Sequence, residues 1–180
     1  MLYNGRPTEC GGREEREIRT YELLDSLGIE YVRVDHAPAM TMEDCEEIDA
    51  ELGTQMCKNL FLCNRQQTDF YLLLIPADKP FKTKELSAQI GTSRLSFASG
   101  EKMLELLDIN PGSVSVMGLM NDRENRVSLL VDRDLAECEY LGCHPCVNTS
   151  SIRVRICDVF DVFLKHTGHS PRIVELTGRE

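Results

Sequence analysis

Three short stretches carry groups that could do chemistry. Gly142 to Thr149 reads Gly-Cys-His-Pro-Cys-Val-Asn-Thr, a histidine between two cysteines, then a proline that fixes the backbone and the hydrogen-bonding pair Asn148 and Thr149. Cys143 and Cys146 form a C-x-x-C, which in a reducing compartment suits a redox pair or half of a zinc site. Alternatively His144 is the working group, held on a rigid loop by Pro145, and the cysteines are small apolar fillers. A structural zinc site wants about four ligands, and no second tight pair exists: Cys138 lies upstream, while Cys57, Cys63, His166 and His169 would have to fold in from a distance. A thioredoxin-like motif would open a helix, whereas Asn148, Thr149 and then a strand pattern follow here. No metal and no cofactor are expected.

The second stretch is Lys58-Asn59, at the entrance of the apolar run Leu60-Phe61-Leu62. A lysine there is ordinarily a solvated strand end; the functional reading is a fixed cation at the sheet rim for a phosphate or carbonyl oxygen. The third, Gly112-Ser113-Val114-Ser115-Val116-Met117-Gly118, reads either as a turn and strand or as backbone that can approach a ligand and offer N–H groups to an anion or an ester oxygen. It is not a phosphate loop, because no Gly-Lys-Ser/Thr ending follows. His36 and His169 stand before Ala-Pro and Ser-Pro and read as turn histidines without a role.

The elements that must position these groups can be read from periodicity. Residues 1–12 are turn-rich and predict a loose leader, with one domain from 13 to 180. Ile18, Tyr21, Leu24 and Leu27 predict a helix capped at Gly28, and residues 31–35 alternate like a half-buried strand. Thr41 with Asp44 resembles a capping box for a helix through Leu52, stopped by Gly53. Residues 57–63 and 70–75 predict a central hairpin; 83–90 predict a helix, and Ser99 caps another through Asp108. A second strand pair is expected at 114–119 and 127–132, with a short helix at 134–139, a strand at 152–156, a helix at 158–165 and a strand at 171–176. The class is mixed α/β, of α+β type, rather than a doubly wound parallel sheet.

At 180 residues the chain can bury a core without disulfides, and its eight cysteines read as reduced thiols. Neither a signal-peptide pattern nor a membrane-length apolar run is present, which predicts a cytoplasmic protein with no membrane partner. The net charge of −10 argues against broad electrostatic binding to nucleic acid. Its distribution is uneven: between Lys58 and Lys102 seven basic residues face four acidic ones.

Taken together, Lys58-Asn59-Leu60-Phe61-Leu62, Asp78-Lys79-Pro80-Phe81, Leu95-Ser96-Phe97-Ala98, Pro111-Gly112-Ser113-Val114-Ser115, Gly118-Leu119-Met120-Asn121-Asp122 and His144-Pro145-Cys146-Val147-Asn148-Thr149 resemble, in order, the YbaK/ProX group of aminoacyl-tRNA editing domains, in its free-standing prolyl-tRNA deacylase type. The resemblance implies a YbaK-like fold, a largely antiparallel, barrel-like curved sheet surrounded by helices. It also implies a hydrolase that removes a wrongly attached amino acid, typically alanine, from tRNA(Pro), a second sieve where the synthetase cannot exclude a smaller amino acid by binding alone. The partners implied are the mischarged tRNA(Pro) acceptor end and, as a further candidate, prolyl-tRNA synthetase.

By that resemblance Lys58 is the central functional residue, the loop from Gly112 to Gly118 lies against the scissile ester, and His144 shapes the amino-acid pocket. Asn59, Ser115 and Val116 join the substrate-binding set, and Met42 and Cys45 are candidates for pocket wall from the helix before the lysine. Val116 departs from the family, whose loop usually carries proline there, so a backbone constraint is missing. The substrate's own ribose hydroxyl is proposed to assist in this family, and no protein general base is assigned. A non-catalytic module of the same fold that binds tRNA or a synthetase is the alternative.

Overall fold

A computed structural model describes residues 1–39 and 41–178. Two sheets carry the architecture. The first runs β1 (Leu2–Asn4), β2 (Tyr31–Asp35), β8 (Ser150–Arg155), β7 (Tyr140–Cys143) in spatial order, all antiparallel. The second runs β5 (Ser96–Phe97), β3 (Lys58–Cys63), β4 (Phe70–Ile75), β6 (Val127–Asp132), β9 (Arg172–Val174). Within it β3 pairs antiparallel with β4 and β5, whereas β4–β6 and β6–β9 are parallel.

The near-continuous apolar runs of β4 and β6 follow from burial on both faces. One face sends Phe70, Leu72, Leu74, Leu129 and Val131 into the main core; the other sends Leu73, Ile75 and Leu130 into a smaller cluster under α3 (Thr83–Ile90) through Leu86. Helix α1 (Glu15–Ser26) lays Tyr21 and Leu24 against the first sheet, with Tyr21 stacked on Tyr31. Helix α2 (Met42–Leu52) has the expected capping box, Thr41 with Asp44, and ends at Gly53 in the left-handed conformation. No described helix is long and apolar enough to cross a membrane.

The two sheets meet at one point. Met56 and Gly142 form an isolated parallel bridge, and the Cys57 N–H donates to the Gly142 carbonyl at 3.1 Å. A Cβ at position 142 would lie 2.8 Å from the Gln55 carbonyl oxygen, so only glycine permits this approach. The single curved, barrel-like sheet is thus corrected to two sheets in contact, with no closed barrel.

Three further expectations change. The leader is not loose throughout, because Leu2–Asn4 adds a strand to β2. Residues 114–119 are not a strand: Val116–Asn121 is a 3-10 helix, and β6 takes β4 and β9 as its partners instead. A cap and a tertiary contact give the reason, since the buried Ser115 hydroxyl accepts the Met117 N–H and Gly118 fits where any Cβ would lie 2.5 Å from Ile109. At the end of the chain, the helix expected at 158–165 begins earlier, at Ile156–Asp158, widens to a π turn at Val159–Phe163 and ends at Leu164–Thr167.

A buried polar network ties α1 to the first sheet. Asp35 accepts two bonds from Arg13, at 3.2 and 2.7 Å, one from Arg33 and one from the Ser150 hydroxyl at 3.1 Å; Arg13 also pairs with Glu17, which accepts from the Tyr21 hydroxyl. Burial alone would raise the Asp35 pKa, but the guanidinium groups of Arg13 and Arg33 outweigh it and hold the carboxyl at about 2. A lowered pKa stabilises the fold above the unfolded value, about 3.9, and that contribution disappears as pH falls through the folded one. Asp35→Asn, which leaves the buried Arg33 without its counter-charge, should lower unfolding stability at neutral pH by about 3 kcal/mol. In urea titrations the deficit should shrink as pH is lowered towards 2.

Candidate functional site

Lys58 opens β3 two residues beyond the Met56–Gly142 bridge, and His144 follows Gly142 by the same two residues, so a single junction sets where both begin. The Lys58 ammonium donates to the backbone carbonyl of Lys79. That carbonyl is itself fixed, because the Lys79 ammonium is clamped at 2.7 Å by both Asp132 and Asp134. Asp132 is fully buried and saturated, accepting from the Asp134 and Leu176 N–H groups as well. Among the described residues no carboxylate pairs with Lys58, so its charge is held in place by a neutral oxygen and left uncompensated.

Asn59 turns its amide nitrogen to the Cys57 carbonyl at 3.2 Å, which fixes the orientation of the group, since the flipped amide would set two carbonyl oxygens together. Its Oδ1 is then buried with no partner among the described residues. An unpaired buried acceptor is costly and points to a donor supplied from outside.

His144 begins the loop between β7 and β8. Its Nδ1 lies 2.9 Å from the Ser150 carbonyl and must carry the proton there, which leaves Nε2 as an acceptor in the neutral ring. Burial pushes the His144 pKa down, nearby His36 pushes the same way, and the bond to Ser150 only partly offsets them. The two imidazoles lie 6.4 Å apart, and His36 is anchored by the Ser151 hydroxyl at 2.8 Å and by its own N–H to the Thr149 carbonyl. Ser150 connects this pair to the Asp35 network.

Gly112 has φ +90°, which a side chain would strain, and the space beside it is bounded by the Asn148 amide, so the glycine turn and the histidine loop face each other. Ser115 and Val116 are fully buried; Ser115 caps the 3-10 helix and also meets Cys143. Gly118 packs against Leu107 and Ile109, which leaves close backbone approach to Gly112. Cys45 is exposed on α2, and the Met42 side chain lies outside the described residues. Cys143 and Cys146 are buried in the main core, their thiols pushed up by desolvation, and among the described residues no group of three or more His, Cys, Asp or Glu could hold a metal. A cavity of about 700 Å³ opens elsewhere, among Tyr31, Tyr140 and Arg155.

Residue reasoning missed His36 and the anchoring role of Lys79. The signal for His36 was its place directly after an alternating strand, where the backbone leaves the sheet.

Residues 36–162, spanning the Lys58 entrance, the glycine turn and the histidine loop, match the family model for the aminoacyl-tRNA editing domain. The chain belongs to that family. Among editing-domain relatives, the prolyl-tRNA editing protein ProX of Acetoanaerobium sticklandii is 31% identical over 153 residues, covering 85% of this chain and 93% of its own. The prolyl-tRNA synthetase associated domain-containing protein 1 of Danio rerio is 30% identical over 155 residues, with 85% and 83% covered. A solved structure described as a candidate trans-editing enzyme for prolyl-tRNA synthetase superposes with a TM-score of 0.68 at 16% identity, covering 91% of this chain and 98% of that one, which shows the shared fold.

Val116 is the first residue of its helix, a position that donates no intrahelical bond and favours proline, and Ser115 before it is extended at φ −153° and ψ 149°, as a residue before proline must be. The family's proline is therefore compatible with this backbone. Val116→Pro should fold with an undiminished melting temperature, and thermal unfolding monitored by circular dichroism checks it.

Proposed function

We propose that this chain is a trans-editing hydrolase that cleaves the ester joining a wrongly attached amino acid, alanine in the first place, to tRNA(Pro). Family membership supports the reaction class, and the prolyl-tRNA editing name of the ProX relative supports the tRNA. The observation that carries the assignment to particular residues is the uncompensated ammonium of Lys58, held by the Lys79 carbonyl at the start of β3.

In this reading Lys58 exchanges its carbonyl partner for a phosphate or ester oxygen of the acceptor end. Backbone N–H groups at the Gly112 turn take the developing oxyanion. The amino-acid end lies towards His144 and Asn59, whose bare Nε2 and unpaired Oδ1 are the acceptors an α-ammonium group needs. Water attacks the carbonyl carbon, the bond to the ribose oxygen breaks, and that oxygen leaves with a proton as the hydroxyl. An aminoacyl ester is already activated, so positioning and charge stabilisation account for the rate without a protein base. Cys45 on α2, and Ser115, Val116 and Gly118 at the 3-10 helix and its cap, support the pocket. Prolyl-tRNA synthetase is the partner that would deliver mischarged tRNA.

Lys58→Ala should lower kcat/KM for alanyl-tRNA(Pro) by roughly 100-fold or more, with an unchanged circular dichroism spectrum. A single-turnover assay separates catalysis from the binding-module alternative, which would retain tRNA without releasing alanine. Burial holds the His144 pKa below its ordinary value, which favours the neutral ring. With spontaneous hydrolysis subtracted, the rate should therefore fall only at a pH below the range in which an exposed histidine takes up its proton. His144→Gln should abolish that fall.

A further inference from the structure

The net charge of −10 sets a requirement: a polyanionic substrate must meet a local surface that is neither acidic nor already paired. Such a surface surrounds Phe97. Its side chain is 64% exposed, more than any other large apolar side chain among the described residues except Met1. The two-residue strand β5 does not require it, since a short edge strand is already protected from further pairing.

Register shows what Phe97 stands beside. It is the cross-strand partner of Leu62, and side chains alternate along β3, so Phe97, Leu62, Leu60 and Lys58 share one face of the sheet. Leu62 is fully buried below α3, Leu60 is half-buried and Phe97 is open, giving an apolar strip that emerges at the sheet edge and leads up β3 to Lys58. On the segments that flank the strip, Arg65 follows β3, Lys82 and Lys84 stand at the start of α3 and Arg94 precedes β5; all four are exposed and none forms an ion pair among the described residues, against exposed carboxylates at Asp69 and Glu101. A flat exposed aromatic among free cations, in line with a cation at the reaction centre, is the chemistry of single-stranded nucleic-acid recognition: the ring stacks on a base and the cations follow the phosphates.

We propose that Phe97, with Leu60 beside it, is a stacking platform for a base of the unpaired 3′ end of the aminoacylated RNA. The inference rests on the hydrolase reading above and adds to it a binding residue outside the reaction centre. Stacking on this edge holds the RNA end so that its terminal nucleotide reaches Lys58.

Two measurements test it. Steady-state deacylation of alanyl-tRNA(Pro) by wild type, Phe97→Ala and Phe97→Trp should show KM raised roughly tenfold in the alanine variant, kcat unchanged, and KM restored by tryptophan. Fluorescence anisotropy with a labelled single-stranded RNA ending in ACCA should show the same order of affinities, and weakening with salt. An unchanged KM and affinity in Phe97→Ala, or a loss that tryptophan does not restore, overturns the proposal while leaving the hydrolase reading intact. If wild type proves inactive, the hydrolase reading fails, and the anisotropy series still decides: Phe97-dependent RNA binding supports the platform and its absence overturns it. Self-association lost in Phe97→Ala with RNA binding unaffected assigns the ring to a contact between copies and overturns the proposal.

Discussion

Everything proposed for the site depends on how closely two backbones approach at Gly142. Each sheet has its own hydrogen-bonded ladder and its own apolar face, and the bridge between Met56 and Gly142 ties the start of β3 to the end of β7. The missing side chain at position 142 lets the segment before β3 lie against β7 and exchange a backbone bond. Parallel register at that bridge then carries both chains forward in step, one into a lysine and the other into a histidine loop. Cys57 and Cys143 fill the space around the bridge as buried thiols. The C-x-x-C is conspicuous as a motif, and in the fold it is packing.

A second layer of constraint is electrostatic. Asp35 collects two guanidinium groups and a serine hydroxyl, and the same serine offers its carbonyl to His144. The imidazole tautomer is thus set by a residue whose own position is fixed from beneath by charge. On the opposite side Asp132 plays the matching part through Lys79. Both working side chains accept their positions from backbone carbonyls held in turn by carboxylate networks, the part-buried Asp35 on one side and the fully buried Asp132 on the other.

Where apolar periodicity and cap chemistry agree, the elements could be read from the residues: Thr41 with Asp44, Gly53, Gly91 and Ser99 mark helix ends found in the structure. The hairpin of β3 and β4 was equally legible, because its two apolar runs are each too short for a helix and flank a polar turn. Legibility failed where tertiary contact overrides pattern. Val114 to Leu119 looks like a strand, but the Ser115 cap and the close seat of Gly118 make it a 3-10 helix. Leu2 to Asn4 forms a strand only because β2 has an open edge, which no local signal announces. For the site, the ordered blocks identified the family, and Lys58 and His144 stood within them. The Lys79 anchor, set by Asp132, is a relation between residues distant in the chain and has no one-dimensional signature.

The bond from Lys58 to the Lys79 carbonyl has an energetic meaning of its own. A lysine resting on a carboxylate would be neutralised, and an incoming phosphate would have to displace a like charge before it could bind. Resting on a carbonyl, the ammonium keeps its direction and gives up a single hydrogen bond to an uncharged acceptor, worth about 1.5–3 kcal/mol net, when a stronger acceptor arrives. The resting protein is therefore cocked rather than closed: the side chain is already aimed, the latch is weak, and the full attraction of the cation is held back for the first anion that fits.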